Sequence, residues 1–281
     1  MKIIKTPQAM FSVINKLKSD NKSIGFIPTM GALHEGHLSL IRAARKENDY
    51  LVVSIFVNPA QFGPGEDFKR YPRPIKKDLE FCRREKVDFV FNPDPTSAYP
   101  KGFSTFVNVE GLSEVLCGKS RPGHFKGVAT IVLKLFNIIQ PDKAYFGQKD
   151  AQQVIIIKRM VRDLNLSVKI KVMPIFRDKT GLAMSSRNIY LSKKQRVDAL
   201  VLSRALNLAG TMIKNGARDA KRIINAMSKL ISRKESAVID YIAITDTNSL
   251  GSVKKLSGSC LLALSVRIGK VRLIDNRKVY V

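Results

Sequence analysis

Two histidines, His34 and His37, stand three residues apart just before residues 38–44, a run with the apolar spacing of a helix. Three residues is close to one helical turn, so both imidazoles are expected on one face at the start of that helix. A helix N-terminus carries unpaired backbone N–H groups and a partial positive charge, which favour a bound anion such as phosphate. The chain has three histidines in all. Two of them in one short glycine-containing stretch favour a functional pair over a chance surface pair.

Two further stretches combine residue types that suit phosphate oxygens. Residues 147–150, Gly-Gln-Lys-Asp, follow a short apolar run, so the glycine would allow close backbone approach and Lys149 would supply a cation. Ser185, Ser186 and Arg187 can make several charge-assisted hydrogen bonds to phosphate, each contributing about 1.5–3 kcal/mol. Either stretch alone is compatible with an ordinary loop. Their order along the chain, after the two histidines, favours a phosphate site.

Three glutamines are candidates for contacts with a ligand that carries a carboxylate and a hydroxyl. Gln61 follows residues 51–57, an apolar run typical of a strand buried on both faces of a parallel sheet. It should therefore lie at the same sheet edge as the histidines, where its amide can both donate and accept hydrogen bonds. Gln152 and Gln153 fall in the first turn of a later helix. Their positions alone do not decide which of the two faces a ligand.

Residues 28–37, Pro-Thr-Met-Gly-Ala-Leu-His-Glu-Gly-His, resemble the ATP-binding signature of the nucleotidyltransferase superfamily, and they are most similar to the pattern of the pantothenate synthetase family. The Met-Ser-Ser-Arg sequence at 184–187 resembles the second signature of that superfamily, and Arg-Pro-Gly-His-Phe at 121–125 resembles an element close to the family's substrates. Through five ordered motifs the resemblance covers essentially the whole chain. Position 148 departs from it, with glutamine where the family often has glutamate.

The resemblance implies an ATP-dependent ligase that joins (R)-pantoate to β-alanine through a pantoyl adenylate, releasing pyrophosphate and AMP. It implies catalytic roles for His34, His37, Lys149 and Arg187. It also implies that Gln61 and Gln153 bind pantoate and that Gln61 helps to bind β-alanine. The ATP-binding residues that it implies are Met30, Gly31, Ala32, Leu33, His34, Glu35, Gly36, His37, Gly147, Gln148, Lys149, Asp150, Phe176, Met184, Ser185, Ser186 and Arg187.

The resemblance further implies a homodimer and a Mg²⁺ ion that accompanies ATP. The sequence offers no cluster of carboxylates for an all-protein magnesium site, so the ion is expected to be held largely by phosphates and water, with no dedicated protein ligand.

The elements that must position these residues alternate between strand and helix patterns, which is typical of a parallel sheet with crossover helices. A helix is predicted over residues 1–22, the first strand near residues 24–27, and an extended piece around residues 105–109. Residues 191–231 predict two helices, and three apolar runs after them predict a small antiparallel sheet. The fold class is therefore α/β, with a Rossmann-like doubly wound parallel sheet in residues 1–176. A smaller α+β domain is expected in residues 177–281, carrying the Met-Ser-Ser-Arg loop.

Composition bounds the remaining alternatives. No apolar run is long enough to span a bilayer, and the N-terminus lacks the apolar core of a signal peptide. Three scattered cysteines favour a reducing compartment. A cytoplasmic location and no membrane partner are therefore expected. The formal net charge of +26 invites a nucleic-acid hypothesis, but the basic excess is spread over both halves of the chain and predicts no dedicated site. A nucleotidyltransferase acting on a phosphate ester and a tRNA synthetase fragment are the rivals within the superfamily.

Overall fold

A computed structural model describes residues 1–281. Six parallel strands form one sheet in the order β1-β4-β3-β2-β5-β6. These strands are β1 (Lys2–Ile4), β2 (Ile24–Thr29), β3 (Tyr50–Ile55), β4 (Phe89–Phe91), β5 (Lys143–Gly147) and β6 (Lys169–Met173). The helices of the same part of the chain are α1 (Pro7–Ser19), α2 (Glu35–Glu47), α3 (Ile75–Arg84), α4 (Pro95–Ala98), α5 (Cys117–Ser120), α6 (His124–Ile139) and α7 (Ala151–Asp163).

Helices cover both faces of this sheet. The apolar sides of α1, α6 and α7 pack in one core cluster with Phe26 of β2, while α2 and α3 pack in another with Ile27. Adjacent residues of a strand point to opposite faces, so β2 is buried on both sides and reads as a continuous apolar run. The predicted doubly wound α/β fold is confirmed.

The strand order reverses at β2, because β3 and β4 lie on one side of it and β5 and β6 lie on the other. In a parallel sheet such a reversal leaves a crevice beyond the carboxyl ends of the two strands that flank it. Residues 30–37 follow β2 directly, and residues 148–150 follow β5, so the topology brings these two stretches to one crevice.

The prediction of one helix over residues 1–22 is wrong at its start. Lys2–Ile4 is a short edge strand paired in parallel with Phe89–Phe91, and α1 begins only at Pro7, with Thr6 as its N-cap. Three residues are too few to show the alternation of apolar and polar residues that identifies a strand in a sequence. This strand forms because the edge of β4 offers unpaired backbone hydrogen-bonding groups.

Residues 105–109, predicted to be extended, pair with no strand of either sheet. The Val107 N–H donates instead to the Thr130 hydroxyl.

The second part of the chain contains two helices and an antiparallel sheet, as predicted. The helices are α8 (Lys193–Lys214) and α9 (Ala220–Ile231), and the strands are β7 (Ala237–Asp246), β8 (Ser259–Ile268) and β9 (Val271–Tyr280), in the order β7-β8-β9. One core cluster is made entirely of residues between Leu182 and Leu273. Leu261 and Ala263 of β8 pack in the core cluster of the first sheet, so the two parts are also in apolar contact.

Candidate functional site

A cavity of about 210 Å³ lies in the crevice beyond β2 and β5. Fourteen of the predicted site residues line it, drawn from four separate stretches of the chain. They are Met30, His34, Gly36, His37, Gln61, Gly147, Lys149, Asp150, Gln153, Phe176, Met184, Ser185, Ser186 and Arg187. A second cavity of about 100 Å³ shares Lys149, Asp150, Gln153, Ser185 and Arg187 with it, and it extends to the sheet formed by β7, β8 and β9. The two cavities thus form one cleft along the boundary between the two parts of the chain.

The two histidines stand side by side at the start of α2. Their ring centroids are 4.1 Å apart with an interplanar angle of 31°, as the three-residue spacing predicts. His34 is the N-cap residue of α2, and no side chain caps the helix, so its first N–H groups remain open to an anion. A Cβ on Gly36 would come within 2.9 Å of the His34 ring. Glycine at this position therefore makes room for the imidazole.

Both imidazoles are neutral at physiological pH. Burial, with a further contribution from the Lys149 ammonium, lowers the pKa of His34 from 6.5 to about 4. Burial, together with His34 and Lys149, lowers the pKa of His37 well below 6.5. The Nδ1 atoms of both rings are buried and have no hydrogen-bond partner. An unpartnered buried polar atom is costly, so both rings retain unused hydrogen-bonding capacity.

The turn between β2 and α2 is fixed by a carboxylate that no sequence pattern selects. Asp78 of α3 is 1% exposed, and its two oxygens accept the N–H groups of Ala32 and Leu33, each at 2.8 Å. Gly31 and Ala32 have φ angles of +78° and +50°, a conformation that costs energy for alanine. The two hydrogen bonds to Asp78 hold this strained turn in place, which sets where α2 begins.

Lys149 enters the cleft from a 3₁₀ turn, Gln148–Asp150, between β5 and α7. Its ammonium lies 3.7 Å from the Asp150 carboxylate, and its side chain is 20% exposed. A Cβ built on Gly147 would meet no atom within 4 Å, so this residue faces open space in the cleft. The carboxyl end of β5 therefore presents the Lys149 ammonium and the accessible backbone of Gly147 to a ligand.

Arg187 also lines the cleft, and residues 67–71 set its position. Its guanidinium donates to both carboxylate oxygens of Asp67, each at 2.8 Å, and lies 5.6 Å from the centre of the Tyr71 ring. The Tyr71 and Ser186 hydroxyls are 2.9 Å apart. Burial alone would raise the pKa of the Asp67 carboxyl, but its bonds to Arg187 outweigh burial and lower that pKa. Asp67 thus stays ionised and neutralises the guanidinium.

Gln61 sits at the end of a 3₁₀ turn after β3 and is 8% exposed. Its side-chain oxygen accepts from Asn58 at 3.1 Å, while its side-chain N–H group points at the Met30 sulfur, 2.8 Å away. A thioether is a weak acceptor, so this N–H is available to a ligand oxygen. The Gln61 carbonyl lies 2.7 Å from Nδ1 of His124. The third histidine therefore supports this turn.

The structure distinguishes the two glutamines of α7. Gln152 is 7% exposed; its side chain accepts the Cys117 N–H and donates to the carbonyls of Leu112 and Val115. All of its polar atoms are engaged in holding a loop. Gln153 lines both parts of the cleft instead. Gln153 is accordingly the glutamine that faces the candidate site.

Five of the predicted ATP-binding residues do not line the larger cavity: Gly31, Ala32, Leu33, Glu35 and Gln148. The first three shape the turn before α2. Glu35 pairs with Arg42 at 3.0 Å, and both side chains are exposed. Gln148 donates to the Asn276 side chain at 2.9 Å. The Ala32 and Leu33 N–H groups and the Glu35 and Gln148 side chains are thus engaged within the protein.

Several residues of the cleft were missed at the sequence level. They are the apolar residues Val128, Ile131, Val132 and Leu135 of α6, together with Tyr71, Asn58 and Phe56. The α6 residues follow an ordinary helical period, which predicts a core-facing side and gives no sign that part of it borders a cavity. Tyr71 lies in a segment without periodicity, and its hydroxyl partner Ser186 is 115 residues away in the chain.

No group of three or more His, Cys, Asp or Glu side chains is placed to hold a metal ion. Cys82, Cys117 and Cys260 are buried and free. None of the helices has the length and apolar character needed to cross a membrane.

Comparison with known proteins agrees with this geometry. Residues 2–278 match the model of the family described as Pantoate-beta-alanine ligase. A pantothenate synthetase from Caldicellulosiruptor bescii is 53% identical over 276 residues, which are 98% of each sequence. The crystal structure of a pantothenate synthetase from Thermus thermophilus has a TM-score of 0.95 and 40% identity over 100% of both chains. A pantoate-beta-alanine ligase from Francisella tularensis, complexed with beta-gamma ATP and beta-alanine, gives a TM-score of 0.77 and 36% identity over 99% of this chain and 97% of that one. On this match of family, sequence and fold over nearly its whole length, the chain belongs to the pantoate–β-alanine ligase family.

Proposed function

We propose that the cleft condenses (R)-pantoate with β-alanine in two steps, with ATP as the activating substrate. The pantoate carboxylate attacks the α-phosphorus of ATP, forming pantoyl adenylate and releasing pyrophosphate. The β-alanine amine then attacks the acyl carbon, giving pantothenate and releasing AMP. The observation that carries the proposal is the convergence of His34, His37, Lys149 and Arg187 on one cleft at the switch point of the sheet.

The first step must bring two anions together and stabilise the negative charge that grows on pyrophosphate. Lys149 and Arg187 both line this space, and Ser185 and Ser186 add hydroxyl donors next to Arg187 in the chain. Fixed donors in a partly buried site stabilise developing charge more strongly than water does. We assign the triphosphate to this set of residues and to the open N-terminus of α2. Phe176, at the cleft edge and 38% exposed, offers its ring to the adenine.

His34 and His37 act in this proposal as neutral N–H donors. Their pKa values lie below neutrality in the free protein, so they enter the reaction uncharged. A bound triphosphate would raise both pKa values, because nearby negative charge favours the imidazolium. The rings then stabilise the negative charge that develops on the leaving pyrophosphate in the transition state.

Pantoate combines a carboxylate and hydroxyls with two methyl groups on one carbon, and the cleft offers partners for both. Gln61 and Gln153 supply amides, and the apolar side of α6 supplies Val128 and Ile131 for the methyl groups. An acyl adenylate is prone to hydrolysis, and this apolar wall keeps water away from the acyl carbon. Gln61, supported by Asn58 and His124, is proposed to bind β-alanine as well.

A Mg²⁺ ion is proposed to accompany ATP and to neutralise charge on its phosphates. Phosphate oxygens and water would provide most of its ligands, because this small hard cation loses water reluctantly. Asp150 is the carboxylate beside Lys149 in the cleft, and its half-exposed side chain supports a direct or water-mediated contact with the ion.

We also propose a homodimer, a cytoplasmic location, and the division into domains at residues 176 and 177. Phe106 is 44% exposed, although its ring packs against Phe103 and lies under the Lys126 ammonium. An exposed aromatic ring of this kind supports an interface with a second copy of the chain. Three free cysteines support a reducing compartment. The separate core cluster between Leu182 and Leu273 supports the domain division.

Pyrophosphate release tests the reaction directly. The protein is mixed with Mg²⁺-ATP and pantoate, with and without β-alanine, and pyrophosphate, AMP and pantothenate are followed separately. We expect a stoichiometric burst of pyrophosphate without β-alanine, and pantothenate with AMP only after β-alanine is added. Pyrophosphate release that does not depend on pantoate would overturn the choice of substrate.

A further inference from the structure

Asn276 of β9 is 4% exposed, and its side chain is directed at the turn that carries Lys149. Its amide N–H₂ group donates to the carbonyls of Gln148 and Lys149, each at 2.9 Å. Its side-chain oxygen accepts from Nε2 of Gln148, also at 2.9 Å. Both donors and one acceptor position of this buried amide are therefore satisfied by two consecutive residues of the ATP site.

The preceding residue, Asp275, fixes a second border of the cleft. It is 3% exposed and receives two hydrogen bonds from the Arg177 guanidinium, at 2.7 and 2.9 Å. Arg177 directly follows Phe176 of the cleft, and Asp275 also accepts the Asn276 N–H at 2.8 Å. Two adjacent residues of β9 thus connect the second sheet to two stretches of chain that border the cleft.

We propose that Asn276 is a positioning residue for the ATP site, which it serves by fixing the backbone that carries Lys149. The inference rests on the function proposed above. Asn276 has no assigned contact with substrate. It acts through the carbonyls of Gln148 and Lys149, so the C-terminal sheet determines where the Lys149 ammonium stands.

The physical reason lies in the turn itself. The 3₁₀ segment Gln148–Asp150 has three residues, and its hydrogen-bond geometry is weaker than that of an α-helix. Lys149 has a long flexible side chain that gains little positional precision from its own packing. Anchoring two consecutive carbonyls removes backbone freedom at the base of that side chain. The same arrangement explains Gln148, whose amide pairs with Asn276 and does not line the larger cavity.

Substitutions of Asn276 separate this role from a merely structural one. Asn276→Asp keeps the size and the acceptor but turns an oxygen toward two carbonyls, and Asn276→Ala removes all three bonds. Gln148→Ala removes one bond and keeps the two to the carbonyls. Arg277→Ala, at an exposed position of the same strand, is the matched control. Binding of Mg²⁺ with α,β-methylene-ATP is measured by calorimetry, steady-state rates give KM for each substrate, and thermal unfolding gives Tm.

We expect Asn276→Asp and Asn276→Ala to weaken binding of the ATP analogue and raise KM for ATP by about tenfold or more, because two hydrogen bonds at the site base are lost. KM for β-alanine should change by less than about twofold, Arg277→Ala should stay near wild type, and Gln148→Ala should weaken binding of the analogue less than Asn276→Ala does. Folded Asn276 variants with wild-type affinity for the analogue, or with a lower Tm as their only defect, would overturn the inference. Analogue binding does not require turnover, so a protein that binds ATP but does not use pantoate would contradict the proposed reaction and still test Asn276.

Discussion

Arg187 and Asp67 form a bidentate ion pair beside the cleft, with both N···O distances at 2.8 Å. The two residues are 120 positions apart in the chain. The guanidinium that is proposed to bind phosphate is thus already paired with a carboxylate in the free protein. The neighbouring Glu66 pairs in the same way with Arg121. We therefore expect ATP phosphates to compete with Asp67 for the charge of Arg187.

Replacing Asp67 tests this competition. Asp67→Asn keeps the shape of the side chain but removes its charge, so Arg187 is freed and binding of Mg²⁺ with α,β-methylene-ATP should tighten by about three- to tenfold. Calorimetry measures the affinity, and Glu66→Gln is the matched control because Glu66 pairs with Arg121. Weaker binding in Asp67→Asn would instead mean that Asp67 helps to hold the nucleotide complex.

Removing the charge of Lys149 or the ring of His34 should slow adenylation by orders of magnitude while the fold persists. Both groups are proposed to meet charge that develops on the phosphates, and the loss of one such donor typically costs about 10²–10³ in rate. Single-turnover pyrophosphate release measures the step, and circular dichroism checks the fold. Wild-type rates in Lys149→Ala or His34→Ala would remove these residues from the site.

Gln152 and Gln153 are adjacent, but replacing each by alanine should change different properties: stability for Gln152 and pantoate binding for Gln153. Gln152→Ala leaves the Leu112 carbonyl and the Cys117 N–H without partners and removes one of two donors from the Val115 carbonyl, so Tm should fall while KM for pantoate stays the same. Gln153→Ala removes an amide from the cleft, so KM for pantoate should rise by about tenfold with little change in Tm. Thermal unfolding and steady-state kinetics on both variants measure this difference, and the reverse result would exchange the roles of the two glutamines.

The buried histidines predict a pH dependence of stability. The pKa of His34 and that of His124 are each about 4 in the folded protein, chiefly because of burial, against 6.5 in the absence of structure. The unfolded chain therefore binds more protons between pH 6.5 and 4, and the free energy of unfolding falls as pH decreases through this window. The contribution of each buried neutral histidine to the free energy of unfolding is fully present above pH 6.5, the pKa in the unfolded chain. By about pH 4 each histidine has lowered the free energy of unfolding by roughly 2–3 kcal/mol.

Urea unfolding between about pH 7 and pH 5 measures this slope. His124→Gln removes one of the titrating groups, so its free energy of unfolding should depend less steeply on pH than that of the wild type. An unchanged slope in this variant would show that His124 does not contribute.

Periodicity and strand–helix order were enough to predict the fold, because most elements are long and strongly patterned. The exception, β1, is three residues long and depends on pairing with Phe89–Phe91, far along the chain. At the cleft, the sequence selected residues whose chemistry is recognisable without context, such as the histidine pair. It could not select Asp67, Asp78 or Asn276, since each acts through a long-range hydrogen bond that no local pattern encodes.

The pairing of β2 with β5 has a consequence for how the protein comes to bind its ligand. These strands are joined by two register pairs, Gly25 with Lys143 and Phe26 with Ala144, yet the two turns proposed to bind phosphate lie at their ends. A chain that has folded only its first four strands has the histidines but lacks the lysine. We therefore expect nucleotide affinity to arise only when β2 and β5 are paired, and we expect a bound nucleotide, by favouring the paired form, to hold the two halves of the sheet together.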